Sequence, residues 1–190
     1  ADAAGAGKGA IPVHVKIDTG MNRFGLAPEE AVDFLLAVRR LPGIRIEGLF
    51  THFATADWTD QTQIRRQLQV FKDVRTSLSE AGISIPVAHT ANSAATMRLP
   101  ESHLNAVRPG IALYGLNPSG EWPPVFEIKP ALTLKSLVAR VREIPAGEGV
   151  SYGRTVITTR KTRVALVPVG YGDGYHRVLS SKGSVLIHGQ

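Results

Sequence analysis

The sequence predicts an α/β unit over residues 1–125 followed by an all-β unit over residues 126–190. Three observations carry this. Strand-like and helix-like segments alternate in the first part, as in the parallel βαβ units of a barrel or a doubly wound sheet. A proline-rich stretch, "NPSGEWPPVFEIKP" from Asn117 to Pro130, interrupts the alternation. Beyond it the helical period disappears, and short β-branched runs follow one another, separated by glycine.

Taken in order, "VHVKID" (Val13 to Asp18) has the alternation of a strand. "PEEAVDFLLAVRRLPG" has the marks of a helix: Pro28 at a first-turn position, two glutamates beside it, and Arg39 and Arg40 near the end before Pro42-Gly43. "IRIEGLFTHFAT" is the next strand. Asp60 and Gln63 are spaced as an N-cap and its reciprocal partner for a second helix. The apolar residues Ile64, Leu68, Phe71, Val74 and Leu78 lie on one face of that helix. Gly82 stops it, and "ISIPVAHTA" opens a third strand. In the second part "ALTLKSLVARVREI", "RVALVPVG" and "SVLIHG" read as strands, with a turn at "PAGEG".

At 190 residues the chain can bury a real core. With no cysteine it has neither a disulfide framework nor thiol chemistry, which fits a reducing compartment. No apolar run reaches the roughly 18 residues of a membrane span. The N-terminal "ADAAGAGKGA" lacks the charged-then-apolar order of a signal peptide. It also lacks an initiator Met, and the chain ends abruptly at "VLIHGQ", so it reads as a fragment. Lys and Arg number 22 against 16 acidic residues, a net charge of +6. They are scattered, without a run of five or interleaved aromatics. An anionic small molecule is therefore a simpler partner than nucleic acid or a membrane.

The unusual residues of the α/β part fall just after strands, where ligands bind in parallel α/β folds. "KIDTGMNRFG", "THFATAD", "HTANSAAT" and "VRPGIALYG" supply Arg23, His52, Asp57, Asn92, Ser93 and Arg108, with the backbone of Gly110 and Ile111. Singly, each has a structural explanation. His52 could be a core histidine, the two arginines surface charges, and Asn92-Ser93 the cap of a helix starting at Ala94. His52, Asp57 and His89 lack the tight spacing of a metal site. Together the residues fit a phosphorylated ring. A hydroxyl at a helix start, with free N–H groups after Pro109, makes an anion cradle. An arginine on a pyridine nitrogen would leave that nitrogen unprotonated, because guanidinium only donates. In the β part, "VPVGYGDGYHR" raises Tyr171 and Tyr175 on a glycine-rich turn. A phenol there is a base only if its surroundings lower its pKa from about 10.

"VHVKIDTGMNRFG", "THFATAD", "HTANSAA", "RPGIALYGLNP", "GEGVSYGR" and "VPVGYGDGYHR" together closely resemble the alanine racemases, from about Val13 to Gln190. The resemblance implies the second half of an eight-stranded (β/α)8 TIM-type barrel, then the start of a β domain. It implies an isomerase that uses pyridoxal 5'-phosphate to interconvert L- and D-alanine, supplying D-alanine for peptidoglycan. It further implies a cytoplasmic homodimer with shared active sites. Tyr171 matches one of two catalytic bases, delivered to the partner subunit's site. Arg108 matches the arginine on the pyridine nitrogen, and Ser93, Gly110 and Ile111 match phosphate contacts, with Asn92 beside them. His52 matches a histidine packed near the cofactor ring. Arg23 matches an arginine near the substrate carboxylate and the ring's phenolic oxygen. Asp57 matches a residue of the substrate's way in. Lys16 matches a lysine that is carbamylated in some members, where it orients Arg23.

Two family motifs have no counterpart in the sequence. One is the first-strand motif with the Schiff-base lysine, and the other is the later β-domain motif with "MDQ". Three further readings stand beside the alanine racemase one: a serine or broad-specificity racemase of the same fold, a non-catalytic pyridoxal-phosphate-binding barrel protein, and a basic nucleic-acid binder. Tyr171 and the β part argue against a mere carrier, which needs neither.

Overall fold

The computed structural model describes residues 9–190. They fall into two compact units, one ending at Leu132 and the other running from Thr133 to Gln190. The reading of the N-terminal stretch as lacking a leader falls largely outside the described residues.

In the first unit β1 (Ile11–Lys16), β2 (Ile44–Phe50) and β3 (Val87–His89) form a parallel sheet in that order. Two helices make the crossovers, α1 (Ala31–Val38) and α2 (Thr62–Glu80). Pro28 opens a 3-10 turn leading into α1, where its missing N–H costs nothing. In α2, Ile64, Leu68, Phe71, Val74 and Leu78 are all buried, as their spacing predicts. Gly82 follows α2 with φ +72°, a left-handed conformation that ends the helix cheaply. Strand residues alternate between faces. Ile17, Leu49 and Ala88 pack with Leu35 of α1 and Phe71 and Leu78 of α2 in one apolar cluster. The opposite sheet face carries His14, Lys16, Phe50 and His89.

Several boundaries differ from the sequence reading. β2 stops at Phe50 and β3 keeps only Val87–His89, because the residues beyond turn into loops that carry the polar groups described below. The reciprocal cap is half made. Asp60 Oδ1 accepts from the Thr62 amide at 2.8 Å and from its hydroxyl at 2.7 Å. The helix already begins at Thr62, so Gln63 is its second residue and makes no return bond among the described residues. Asn92 caps α3 (Ser93–Arg98), Oδ1 accepting from Ala95 N at 3.0 Å, so that helix starts one residue before Ala94.

The second unit contains strands and 3-10 turns but no α-helix among its described residues. β4 (Arg140–Ile144) pairs antiparallel with β7 (Thr162–Leu166), and β5 (Gly149–Val150) with β6 (Val156–Ile157). The predicted strand at "SVLIHG" is not formed, and "ALTLKSLV" forms no ladder. A strand needs a neighbour to bond its N–H and C=O groups, and among the described residues these stretches pair with no strand, a lone bond from Ala131 N to Tyr114 O apart.

Phe71 is fully buried in the cluster between α2 and the sheet. Phe71→Ala should therefore destabilise the protein by about 3–5 kcal/mol, the usual cost of so large a cavity. Urea denaturation measures it. A loss within error would show that Phe71 does not anchor α2.

Candidate functional site

The polar face of the sheet is shaped by one irregularity. The β1–β2 register slips between Val13 and His14, so Val13 pairs with Ile46 and His14 with Gly48. Glu47 is the extra residue, and such a bulge re-aims side chains. Gly48 is required there, since a Cβ at that position would clash with the His14 imidazole. One row further on, Lys16, Phe50 and His89 lie side by side across the three strands, with the rings of Phe50 and His89 stacked.

A chain of bonds runs along this face. Glu47 Oε2 lies 3.5 Å from His14 Nε2, His14 Nδ1 lies 2.7 Å from His89 Nε2, and His89 Nδ1 lies 2.6 Å from Arg108 Nη1. Arg108 also donates to the carbonyls of His89 (3.0 Å) and Thr51 (2.7 Å). A guanidinium has no acceptor, so it sets every proton position in the chain. His89 Nδ1 must accept, which puts the ring proton of neutral His89 on Nε2. That proton points at His14 Nδ1, leaving the His14 proton on Nε2 toward the Glu47 carboxylate. The Nε–H of Arg108 takes part in none of these bonds.

The neighbourhood is cationic. Burial, then the charge of Arg108, then His14 push His89 down to about 4. Burial lowers His52 as well, and Arg108, Arg23 and Lys16 add to it in that order. Burial lowers Lys16 too; Asp18 opposes the shift, while Arg23 and Arg108 reinforce it. Lys16 Nζ donates to the carbonyl of Phe24. Arg23 is exposed, but its loop is fixed by Asp18. Asp18 Oδ1 accepts from the amides of Gly20, Met21 and Asn22 at 2.9–3.0 Å, and Oδ2 from Arg23 N at 3.1 Å. Burial alone would raise the Asp18 pKa, yet these four amides hold it below the usual carboxylate value.

A cavity of about 270 Å³ opens at the strand ends, lined by His52, Asp57, Asn92, Ser93, Arg108, Gly110 and Ile111, with Ala94 and Pro118. All seven were singled out from the sequence. Ser93 Oγ accepts from Gly110 N at 2.7 Å and from Ala112 N at 3.3 Å. The converging amides are thus those of Gly110 and Ala112, with Ile111 in the wall between them. A larger groove of about 810 Å³ runs along the end of α2, past Lys72, Arg75 and Ser79 to Ile85. It contains none of the strand-end residues, so the smaller cavity is the candidate site. No group of three or more metal-binding side chains occurs among the described residues. Tyr171 belongs to the second unit. It opens a 3-10 turn closed by Gly170 N on Asp173 Oδ2 at 2.9 Å, and its side chain is 71% exposed.

Sequence reading missed His14 and Glu47, and weighed His89 only as a metal ligand. Their signal is the alternation itself: "VHVK", "EGLF" and "VAH" place them on adjacent strands of one face. A second omission is the buried triad Thr19, Thr51 and Gln67. The two hydroxyls bond at 2.8 Å, and Gln67 on α2 bridges Thr19 (3.4 Å) to the Ala54 amide (3.0 Å).

A parallel α/β unit with a cationic cavity at its strand ends is thus followed by a strand unit with no α-helix among its described residues. The family model "Alanine racemase, N-terminal domain" matches residues 1–118, and "Alanine racemase, C-terminal domain" matches residues 131–190. The chain belongs to the alanine racemase family. It is 47% identical over 178 residues to the alanine racemase of Halothermothrix orenii, covering 94% of this chain and 47% of that protein. The alanine racemase of Methanococcus maripaludis is 45% identical over 179 residues, covering 93% and 48%. Among solved structures, the alanine racemase of Streptomyces coelicolor superimposes with a TM-score of 0.90 at 38% identity, covering 100% of this chain and 51% of that one. That of Clostridium difficile gives 0.88 at 42% identity, covering 96% and 48%. The chain spans about half the length of the curated relatives it matches.

Two predictions follow from the bond chain. His89 binds protons more weakly in the fold than in the unfolded chain, so the unfolded state takes up more protons between pH 6.5 and about 4. Stability should thus fall as the pH drops through that window. His89→Gln should flatten the slope, as read from urea midpoints at pH 7, 6 and 5; an unchanged slope would clear His89 of the effect. Gly48→Ala should expel His14 from between Glu47 and His89, at a cost of about 1–3 kcal/mol for overpacking. In imidazole nitrogen NMR spectra the tautomer signals of His14 and His89 should then change, and unaltered signals would refute the arrangement.

Proposed function

We propose that the chain supplies half of an alanine racemase, interconverting L- and D-alanine by two-base proton transfer with pyridoxal 5'-phosphate, in a homodimer with shared active sites. The residues to about 125 would be the second half of a (β/α)8 barrel that binds the cofactor. Those from 126 would begin the β domain that carries the catalytic tyrosine. One observation carries the reading: Arg108, locked by His89 and Thr51, lines the same cavity as Ser93, whose Oγ gathers the amides of Gly110 and Ala112. A hydroxyl and amides suit a phosphate, and a donor-only guanidinium suits an unprotonated ring nitrogen. The donor set therefore fits the cofactor. The alanine racemase from Bacillus anthracis was solved with bound L-Ala-P.

When bound, the cofactor would spread the charge left at the substrate Cα as its proton leaves. This chain's own residues would do the rest. Ser93, Asn92, Gly110 and Ile111 would hold the phosphate, and Arg108 would face the ring nitrogen with no proton to give up. His52, kept neutral by burial and by three nearby cations, would pack against the ring without adding charge. Arg23 would take the substrate carboxylate, helped by Lys16 in its carbamylated form, and Asp57 would border the way in. Tyr171 Oη would remove or return the Cα proton on one face. Its exposure within its own unit supports a site completed by a partner subunit, whose groups would tune the phenol. The opposite face needs a second base, the lysine that this sequence lacks.

In the full-length enzyme, Tyr171→Phe keeps the ring and deletes the proton site. Turnover should fall at least about a hundredfold, the low end for a general acid-base group. Solvent exchange at Cα should be suppressed chiefly for L-alanine. Near-normal racemisation would remove Tyr171 from the chemistry.

A further inference from the structure

The loop that follows His52 is weakly held by its own bonds. Between Thr55 and Asp60 the backbone closes one turn, Trp58 N to Thr55 O at 3.2 Å, and Asp57 to Asp60 are exposed. A second segment, Asn117 to Trp122, grips this loop from outside. The Asp57 carbonyl accepts from Ser119 Oγ at 2.5 Å and from Trp122 Nε1 at 3.0 Å, filling both lone pairs. The Thr59 amide donates to Glu121 Oε2 at 2.6 Å.

The gripping segment is itself anchored. Asn117 Nδ2 donates to the carbonyls of Ser119 (2.8 Å) and Trp122 (2.6 Å), and Glu121 N donates to Ser119 Oγ at 2.9 Å. The Trp122 ring is buried in an apolar cluster with Phe53, Leu68 and Leu99, and the Arg98 guanidinium lies 5.0 Å above it. Both segments reach the site, because Asp57 and Pro118 line the same cavity as Arg108 and His52.

We infer that Ser119, Glu121 and Trp122 form a strap whose task is to hold Asp57 at the cavity mouth, where its carboxylate meets the ammonium end of an incoming amino acid. This rests on the racemase reading for the nature of the ligand, but the strap itself is independent of it. The three act as positioning residues. A carboxylate held at one place guides a zwitterion with its ammonium end foremost, whereas one on a loose loop spends most of its time elsewhere. Loosening the strap should raise KM and leave kcat nearly unchanged, since no strap residue lines the part of the cavity around Arg108.

The test uses the full-length enzyme. The double variant Ser119→Ala/Trp122→Phe deletes both donors to the Asp57 carbonyl and keeps an aromatic ring in the apolar cluster. In cofactor-free protein, hydrogen exchange at the Trp58 and Thr59 amides should quicken about tenfold or more, as two hydrogen bonds of ordinary strength are lost. The amides of Leu68 and Phe71 in α2 should be unaffected. Glu121→Ala should speed Thr59 exchange as well, whereas Glu121→Gln, which keeps an oxygen acceptor, should not. With cofactor restored, KM for alanine should rise several-fold and kcat stay within about twofold. Unchanged exchange at Trp58 and Thr59 would overturn the strap. Faster exchange with an unchanged KM would overturn its role at the mouth. A parent enzyme without racemase activity would instead sink the racemase reading, and the exchange data would still decide the strap.

Discussion

Everything at the strand ends depends on a guanidinium that cannot accept a hydrogen bond. Arg108 is partly buried without a carboxylate partner among the described residues, a placement that costs several kcal/mol unless its N–H groups find acceptors. Those acceptors are the carbonyls of Thr51 and His89 and the Nδ1 atom of His89. For Nδ1 to accept, His89 must be neutral with its proton on Nε2, and that proton needs an acceptor too. His14 provides it only because the β1–β2 bulge turns it toward His89 and because Gly48 has no side chain in its way. One rule about donors thus reaches from the cavity to Glu47 at the partly exposed end of the chain.

The same strands do two jobs, and period-two alternation separates them. Ile17, Leu49 and Ala88 face the helices, and stability comes mainly from their burial against Leu35, Phe71 and Leu78. Lys16, Phe50 and His89 face the other way and carry charge and polarity. A charge can be placed close to the core without weakening it because the helix-facing cluster is a separate set of side chains. Gln67 is the exception: a polar residue on the buried side of α2, tolerated because both ends of its amide are bonded.

This division also explains what could be read from the sequence. Periodicity in α2 is strong, and all five apolar positions marked there are buried. Residues after the strands are conspicuous because loops with Asn, Ser, Arg and Gly interrupt apolar runs, so seven of the nine residues lining the cavity stood out. Residues within strands were less visible. His14 and His89 occupy positions where a polar side chain normally marks a solvent face, and only three-dimensional pairing turns them toward each other. The bulge that aligns them is a one-residue slip, which no composition or spacing encodes. Strand ends were overestimated for the same reason: β-branched residues such as those of "SVLIHG" favour extension, but a ladder requires a second chain segment.

The two units differ sharply in how they meet the cost of ordering a chain, roughly 1–2 kcal/mol per residue for the backbone alone. The first has two apolar clusters with fully buried side chains. In the second, Ile144 is the one buried apolar side chain, while Leu134, Leu137, Tyr152, Val178 and Leu186 are exposed. Burial on that scale cannot offset the entropy of an ordered strand unit. Its apolar side chains have the composition of a core without the contacts of one. The Tyr171 turn sits within this unit, held by the Gly170 amide on Asp173 Oδ2, by backbone bonds from Asp173 N and Tyr175 N to Gly170 O and from Gly174 N to Tyr171 O, and by the left-handed Gly174. The turn orders the backbone, while the phenol itself is 71% exposed. The proposed catalytic base is thus less enclosed by its own unit than Arg108 is by the packed sheet and helices of the first.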